Sequence, residues 1–116
     1  MSDAKHITYR GTKSLGARVY ALLYAGAKGG AEIRHVVRHS PDGLSWGYGG
    51  SGPADCALSI LHDFCERTGR PVEVAERWYM AFKWDFVAVQ GVELTIAGAD
   101  IAEWLDAKEV THEHAI

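Results

Sequence analysis

From residue 53 to 68 the chain reads PADCALSILHDFCERT, and this run constrains the fold more than any other. Ala54, Ala57, Leu58, Leu61, Phe64, Cys65 and Thr68 recur at i, i+3, i+4 and i+7, a stripe sustained over about four helical turns. Asp55, Ser59, His62 and Glu66 fall on the opposite side and are expected to face water. Asp63 and Arg67 stand at i, i+4, where opposite charges meet. Pro53 suits a helix start, Gly69 suits the residue beyond a helix end, and Pro71 blocks continuation. The sequence therefore predicts an amphipathic helix that needs a partner surface for its apolar side.

The N-terminal half supplies that surface as a sheet. HITYRG (residues 6–11) reads as a short strand with Ile7 and Tyr9 on one face. ARVYALLY (17–24) is a second, rich in β-branched and aromatic residues. AGAKGG (25–30) is a glycine-rich turn. EIRHVVRH (32–39) lies between two turn signals and is too short for a typical helix, so it is expected as a strand. SPDG (40–43) is a β-turn, with proline where its fixed φ is wanted. LSWGY (44–48) then returns antiparallel, with Leu44, Trp46 and Tyr48 sharing one face.

After the first helix, VEVAERWYMAFKWDFVAV predicts a second over residues 73–88, with Val74, Trp78, Ala81 and Phe82 inward. GVELTI (91–96) is a short extended segment. AGADIAEWLDAKE (97–109) closes as a third helix carrying Ile101, Trp104 and Leu105. The expected architecture is α+β: an antiparallel N-terminal sheet of three to four strands with about three helices packed on one face. At 116 residues the chain is expected to be a single domain, 1–116, with loose ends at 1–5 and 108–116.

Function classes narrow on charge and composition. A net charge of -3 does not advertise the clustered Lys and Arg that nucleic acid demands, so nucleic acid is not the expected partner. No apolar stretch is long enough for a membrane span, and the polar N-terminal residues lack the apolar core of a secretory signal. The expected location is cytoplasmic. Cys56 and Cys65, nine residues apart in one helix, lie about 180° apart around its axis and read as two idle thiols. His35 and His39 would lie about 13 Å apart in a strand, too far to grip one ion. HEH at 112–114 has no third ligand, so neither a metal nor a cofactor is implied.

The run SWGYGGSGPAD (45–55) raises a sharper question: phosphate cradle or structural corner. A cradle needs backbone N–H groups converging on an anion at a helix N-terminus. Here the Lys and Ser/Thr of a P-loop are missing, Pro53 offers no N–H, and Asp55 brings a negative charge. Asp55 reads better as the helix's own complement to its dipole, with Ser51 or Gly52 as the cap. A corner is the expectation, and a corner can still be a contact surface, because bare Gly47 and Gly49 let another chain approach the backbone.

The residues 39–61, HSPDGLSWGYGGSGPADCALSIL, resemble the shared block of a family of small uncharacterised proteins of bacteria, phages and mobile elements. That block runs H-S-P-x-G-[FL]-x-W-G-Y-G-G-S-G-P-A-x-x-A-L-x-I-L, and Cys56 departs from it where a Leu is usual. AFKWDFVA and LTIAGADIAEWL resemble the family's weaker C-terminal block. The resemblance implies no activity; it implies a phage or mobile-element setting, in which small acidic domains act by binding host machinery.

The expected function is accordingly a non-enzymatic interaction module, a regulator or inhibitor of a host protein complex such as a defence system, with another protein as partner. Its contact surface would centre on Arg38, His39, Trp46, Tyr48, Gly49, Gly50, Ser51 and Gly52. The rival expectation is a small binding domain or enzyme for a nucleotide or phosphorylated ligand, acting through the same loop and Arg38.

Overall fold

Alternating burial along two neighbouring segments sets up the sheet. In Thr8–Thr12 (β1) Tyr9 and Gly11 are buried while Arg10 is exposed, and in Arg18–Leu22 (β2) Val19 and Ala21 are buried. A period of two puts one face on a core and leaves the other open. The two strands pair antiparallel, with Tyr9 opposite Ala21 and Arg10 opposite Tyr20. The computed structural model describes residues 6–24 and 29–115, so most of the expected turn at 25–30 lies outside the described residues.

Ala31–Glu32 (β3) joins the far side of β2, and Leu94–Ala97 (β4) joins the far side of β1, giving a four-stranded antiparallel sheet in the order β3-β2-β1-β4. Ser51–Thr68 (α1), Val72–Phe82 (α2) and Gly98–Ala115 (α3) complete an α+β fold. The stretch from Lys108 onward, expected as a loose end, continues α3 as far as Ala115. It is held there by Glu109, which accepts from the Trp78 indole at 2.7 Å and from Arg77 at 2.8 Å.

Two expected strands are not strands. Of residues 32–39 only Glu32 belongs to β3, and 44–48 form no regular element. The physical reason in the first case is where the backbone donors go. Val36 N–H donates to the Ser59 hydroxyl at 2.8 Å, and the N–H groups of Arg38, His39 and Ser40 donate to the Asp55 carboxylate. Donors satisfied by side chains of α1 are not available to a neighbouring strand. In the second case Gly47 adopts φ 88, a left-handed conformation that breaks strand alternation. Trp46 therefore points inward and Tyr48 outward, instead of sharing a face.

The same loop overturns the expected wet side of α1. Asp55 and Ser59 are 0% and 1% exposed, because residues 33–40 lie across them. From Gly52 to Leu61 the helix is buried all round. Its predicted local features stand: Gly69 ends it at φ 76, and Asp63 pairs with Arg67 at 2.7 Å. Asp63 also accepts from the buried Tyr9 hydroxyl at 2.7 Å, which ties α1 to the middle of β1. Cys56 and Cys65 are free and buried.

The second helix does not run unbroken to 88. After Phe82 it widens into a π turn, Lys83–Val87, closed by the Ala88 N–H on the Lys83 carbonyl at 2.8 Å. The wider turn brings Val87, five residues beyond buried Phe82, back into the core.

Candidate functional site

The glycine corner is built from the inside out, starting at Trp46. Its ring is 1% exposed and lies on Gly11, where an added Cβ would meet ring carbon Cη2 at 2.9 Å. The indole N–H donates to the Val92 carbonyl at 3.0 Å, and Gly47 N–H donates to the Val87 carbonyl at 3.1 Å. These bonds fasten the loop to the end of the π turn and to the segment that leads from it to β4. Trp46, expected at a contact surface, is a core residue.

Beyond that anchor the chain turns outward. Tyr48 is 53% exposed, and its ring folds back over Gly50 and Gly52: an added Cβ would lie 2.8 Å from ring carbon Cε2 at Gly50 and 3.3 Å from the hydroxyl at Gly52. Trp84, from the π turn, lies on Gly49 in the same way, its ring filling the space an added Cβ would take. The bare glycine backbone is thus occupied by the protein's own rings. Trp84 remains 56% exposed, and the Lys83 ammonium sits 4.2 Å from the centre of its ring. Met80, also exposed, stands one turn earlier on α2.

Gly50 is the N-cap of α1 and has no side-chain cap. The helix begins at Ser51, so Ser51 and Gly52 are its first residues and not the cap. Asp55 lies in the second turn, and its carboxylate is turned away from the helix end. It accepts from His35 Nε2 at 2.8 Å and from the N–H groups of His39, Ser40 and Arg38 at 2.8, 3.0 and 3.1 Å. Burial alone would raise its pKa, but these four donors outweigh burial and hold the carboxyl below its ordinary range. Asp55 is therefore a latch for residues 35–40. It is not a complement to the helix dipole.

Arg38 and His39 extend the latch to α2. The Arg38 guanidinium takes both oxygens of Glu76, the second at 3.2 Å, and Glu76 also meets His62 Nε2 at 2.7 Å. The hydrogen bonds from Arg38 and then His62 hold Glu76 below the ordinary carboxylate range. His39 Nε2 meets the Tyr79 hydroxyl at 2.8 Å. Carboxylate–imidazole couples of this kind can orient a base. Here Glu76 is shared with Arg38 and Asp55 with three backbone donors, so both carboxylates hold the loop on the helices.

Of the expected site residues, Tyr48, Gly49, Gly50 and Ser51 cluster at the corner, Gly52 is buried beneath it, and Arg38 and His39 lie along the latch. Sequence reasoning missed Trp84, Glu76 and Tyr79, and placed His62 on a side facing water, whereas it meets Glu76. The available signal for Glu76 and Tyr79 was their spacing with Met80 at i, i+3 and i+4, which marks one face of α2.

Residues 9–107 match a family of unknown function, DUF6166. The chain belongs to that family. No curated protein and no solved structure matches it. The DUF6166 match begins on β1 and runs into α3, so it takes in the corner, the Asp55 latch and the parts of the sheet that pack on them. Among the described residues no helix is long and apolar enough to cross a membrane.

Proposed function

We propose that this DUF6166 protein is an interaction module that binds another protein through the Tyr48–Trp84 corner. One observation carries the reading: two large aromatic side chains from distant parts of the chain, each more than half exposed, lie over adjacent glycines, Trp84 on Gly49 and Tyr48 on Gly50. Exposed Tyr and Trp with a neighbouring Met are the residue types enriched at the centres of protein interfaces. Tyr48 and Trp84 also have few rotatable bonds, so holding them in a complex costs little conformational entropy. The Asp55 latch and the Trp46 anchor support the reading by fixing the loop before any partner arrives. The setting implied by the resemblance at residues 39–61 makes a regulator or inhibitor of a host protein complex the form we favour.

The test is the double variant Tyr48→Ala with Trp84→Ala. Both side chains are exposed, so stability in urea should stay within about 0.5 kcal/mol of the parent. Affinity capture from the native host should recover a partner with the parent chain and lose it with the variant. A partner retained by the folded variant, or no partner at all, would refute the reading.

A further inference from the structure

The sheet has a second face, and Arg10 stands on it. Arg18, Arg34, Arg38, Arg67, Arg70 and Arg77 each sit against a carboxylate. Arg10, the remaining arginine of the sequence, has no carboxylate partner among the described residues, although it stands on one of the two inner strands. Its register neighbours are Tyr20 on β2 and Thr95 on β4, so its side chain rises from the middle of the face opposite the core.

That face is hollowed. Arg10, Thr12, Tyr20, Leu22, Gly30 and Glu93 line a cavity of about 490 Å³, within the usual range for small-molecule sites. Gly30 lies directly on the β2 backbone, where an added Cβ would stand 2.6 Å from the Ala21 carbonyl oxygen. A larger residue at 30 would push this wall away and open the hollow.

We propose that this hollow binds a single nucleotide-class ligand, a phosphate monoester carrying a flat ring. The Arg10 fork takes two phosphate oxygens, a geometry for which guanidinium is suited. The Tyr20 ring, opposite Arg10 on the next strand, supplies a stacking surface for the flat ring. Glu93 accepts from a sugar hydroxyl or a ring amino group. A polymer is disfavoured by charge: strand binding needs several free cations along a groove, whereas the nearest other arginine of this face, Arg18, is tied to Glu32 at 3.4 Å. The site is separate from the corner and does not rest on the reading given above.

The experiment titrates the protein with each of the four ribonucleoside 5′-monophosphates at millimolar concentrations and follows backbone amide NMR shifts. At least one nucleotide should move the amides of Arg10, Thr12, Tyr20 and Glu93 and leave those of residues 47–51 in place. Uridine, ribose 5-phosphate and inorganic phosphate should each bind about tenfold more weakly or worse, since each lacks part of the recognised chemistry. Arg10→Gln, on an exposed position, should fold normally and lose about tenfold to hundredfold in affinity, and Tyr20→Leu should bind more weakly than the parent. The proposal is overturned if no nucleotide shifts these amides, or if Arg10→Gln binds as the parent does. It is equally overturned if inorganic phosphate binds as tightly as any nucleotide, or if a short oligonucleotide binds more tightly with a steep salt dependence.

Discussion

His35 and Asp55 meet at 2.8 Å, imidazole Nε2 to carboxylate Oδ2, although the one comes from a loop and the other from a helix position with no exposed surface. The contact is the first of a series that threads residues 35–40 over α1. A buried carboxylate is costly unless its lone pairs are taken, and here four donors take them. Because three of those donors are backbone groups, the loop's path is dictated by one side chain. The loop in turn delivers Arg38 and His39 to α2 and sets where the turn at 40–43 begins.

Replacing Asp55 should therefore cost more than a surface carboxylate would. Asp55→Asn keeps the shape but turns an acceptor oxygen into an NH2 group facing the donors of His35 and Ser40. We expect a loss of about 3 kcal/mol in urea unfolding, from unsatisfied buried donors. Glu66→Gln, on the same helix but exposed, should change stability by less than about 0.5 kcal/mol. Equal effects at the two positions would show that the latch carries no special stability.

The same carboxylate gives a direction to pH dependence. Asp55 is held below its ordinary value of 3.8, and Glu76 below 4.5, so both are more acidic folded than unfolded. A depressed folded value means that the stabilisation is complete above the unfolded value and is lost as pH falls through the folded one. Unfolding free energy should thus be flat from neutrality down to the ordinary carboxyl range and drop steeply below it. Asp55→Asn should flatten that acid limb. A parent protein whose stability is unchanged or rises on acidification through this range would contradict the assignment.

What could be read from the sequence was local. α1, its Gly69 terminus and the Asp63–Arg67 pair follow from spacing within one segment, and strands β1 and β2 follow from alternation. The destination of the donors of residues 36–40 was not legible, because their acceptors lie on a helix that begins more than ten residues later. An Asp near a helix start reads as solvent-facing by default, and nothing local distinguishes a buried acceptor. Trp46 and Tyr48 were separated by the left-handed Gly47, a single backbone state that an alternation pattern cannot reveal. The corner itself was visible as a glycine–aromatic run, but half of its exposed surface, Trp84, arrives from the π turn.

Two glycines that touch tryptophan rings should respond differently to a methyl group. At Gly11 an added Cβ would stand 2.9 Å from Trp46 and 3.0 Å from Leu94, both buried with no room to retreat. Gly11→Ala should cost about 1–3 kcal/mol by overpacking. At Gly49 the obstacle is the half-exposed ring of Trp84, which can swing into solvent. Gly49→Ala should leave stability nearly unchanged and shift tryptophan emission to longer wavelength. If the two variants were equally destabilised, the Trp84 ring would be a structural part of the fold and not a free surface.

The two thiols report on the core that the latch covers. Cys56 and Cys65 are both fully buried, and burial pushes both up from 9.0, Cys65 to about 11. The thiolate is the reactive form, so native protein at about pH 8 should resist iodoacetamide while urea-unfolded protein labels at both positions. Because reagent reaches these sulfurs only through opening, the native labelling rate should track stability. Cys56 adjoins Asp55 in α1, so Asp55→Asn should speed its labelling about in proportion to the loss measured in urea. Rapid labelling of the parent, or a rate indifferent to Asp55→Asn, would mean that the helix opens without breaking the contacts around the buried carboxylate.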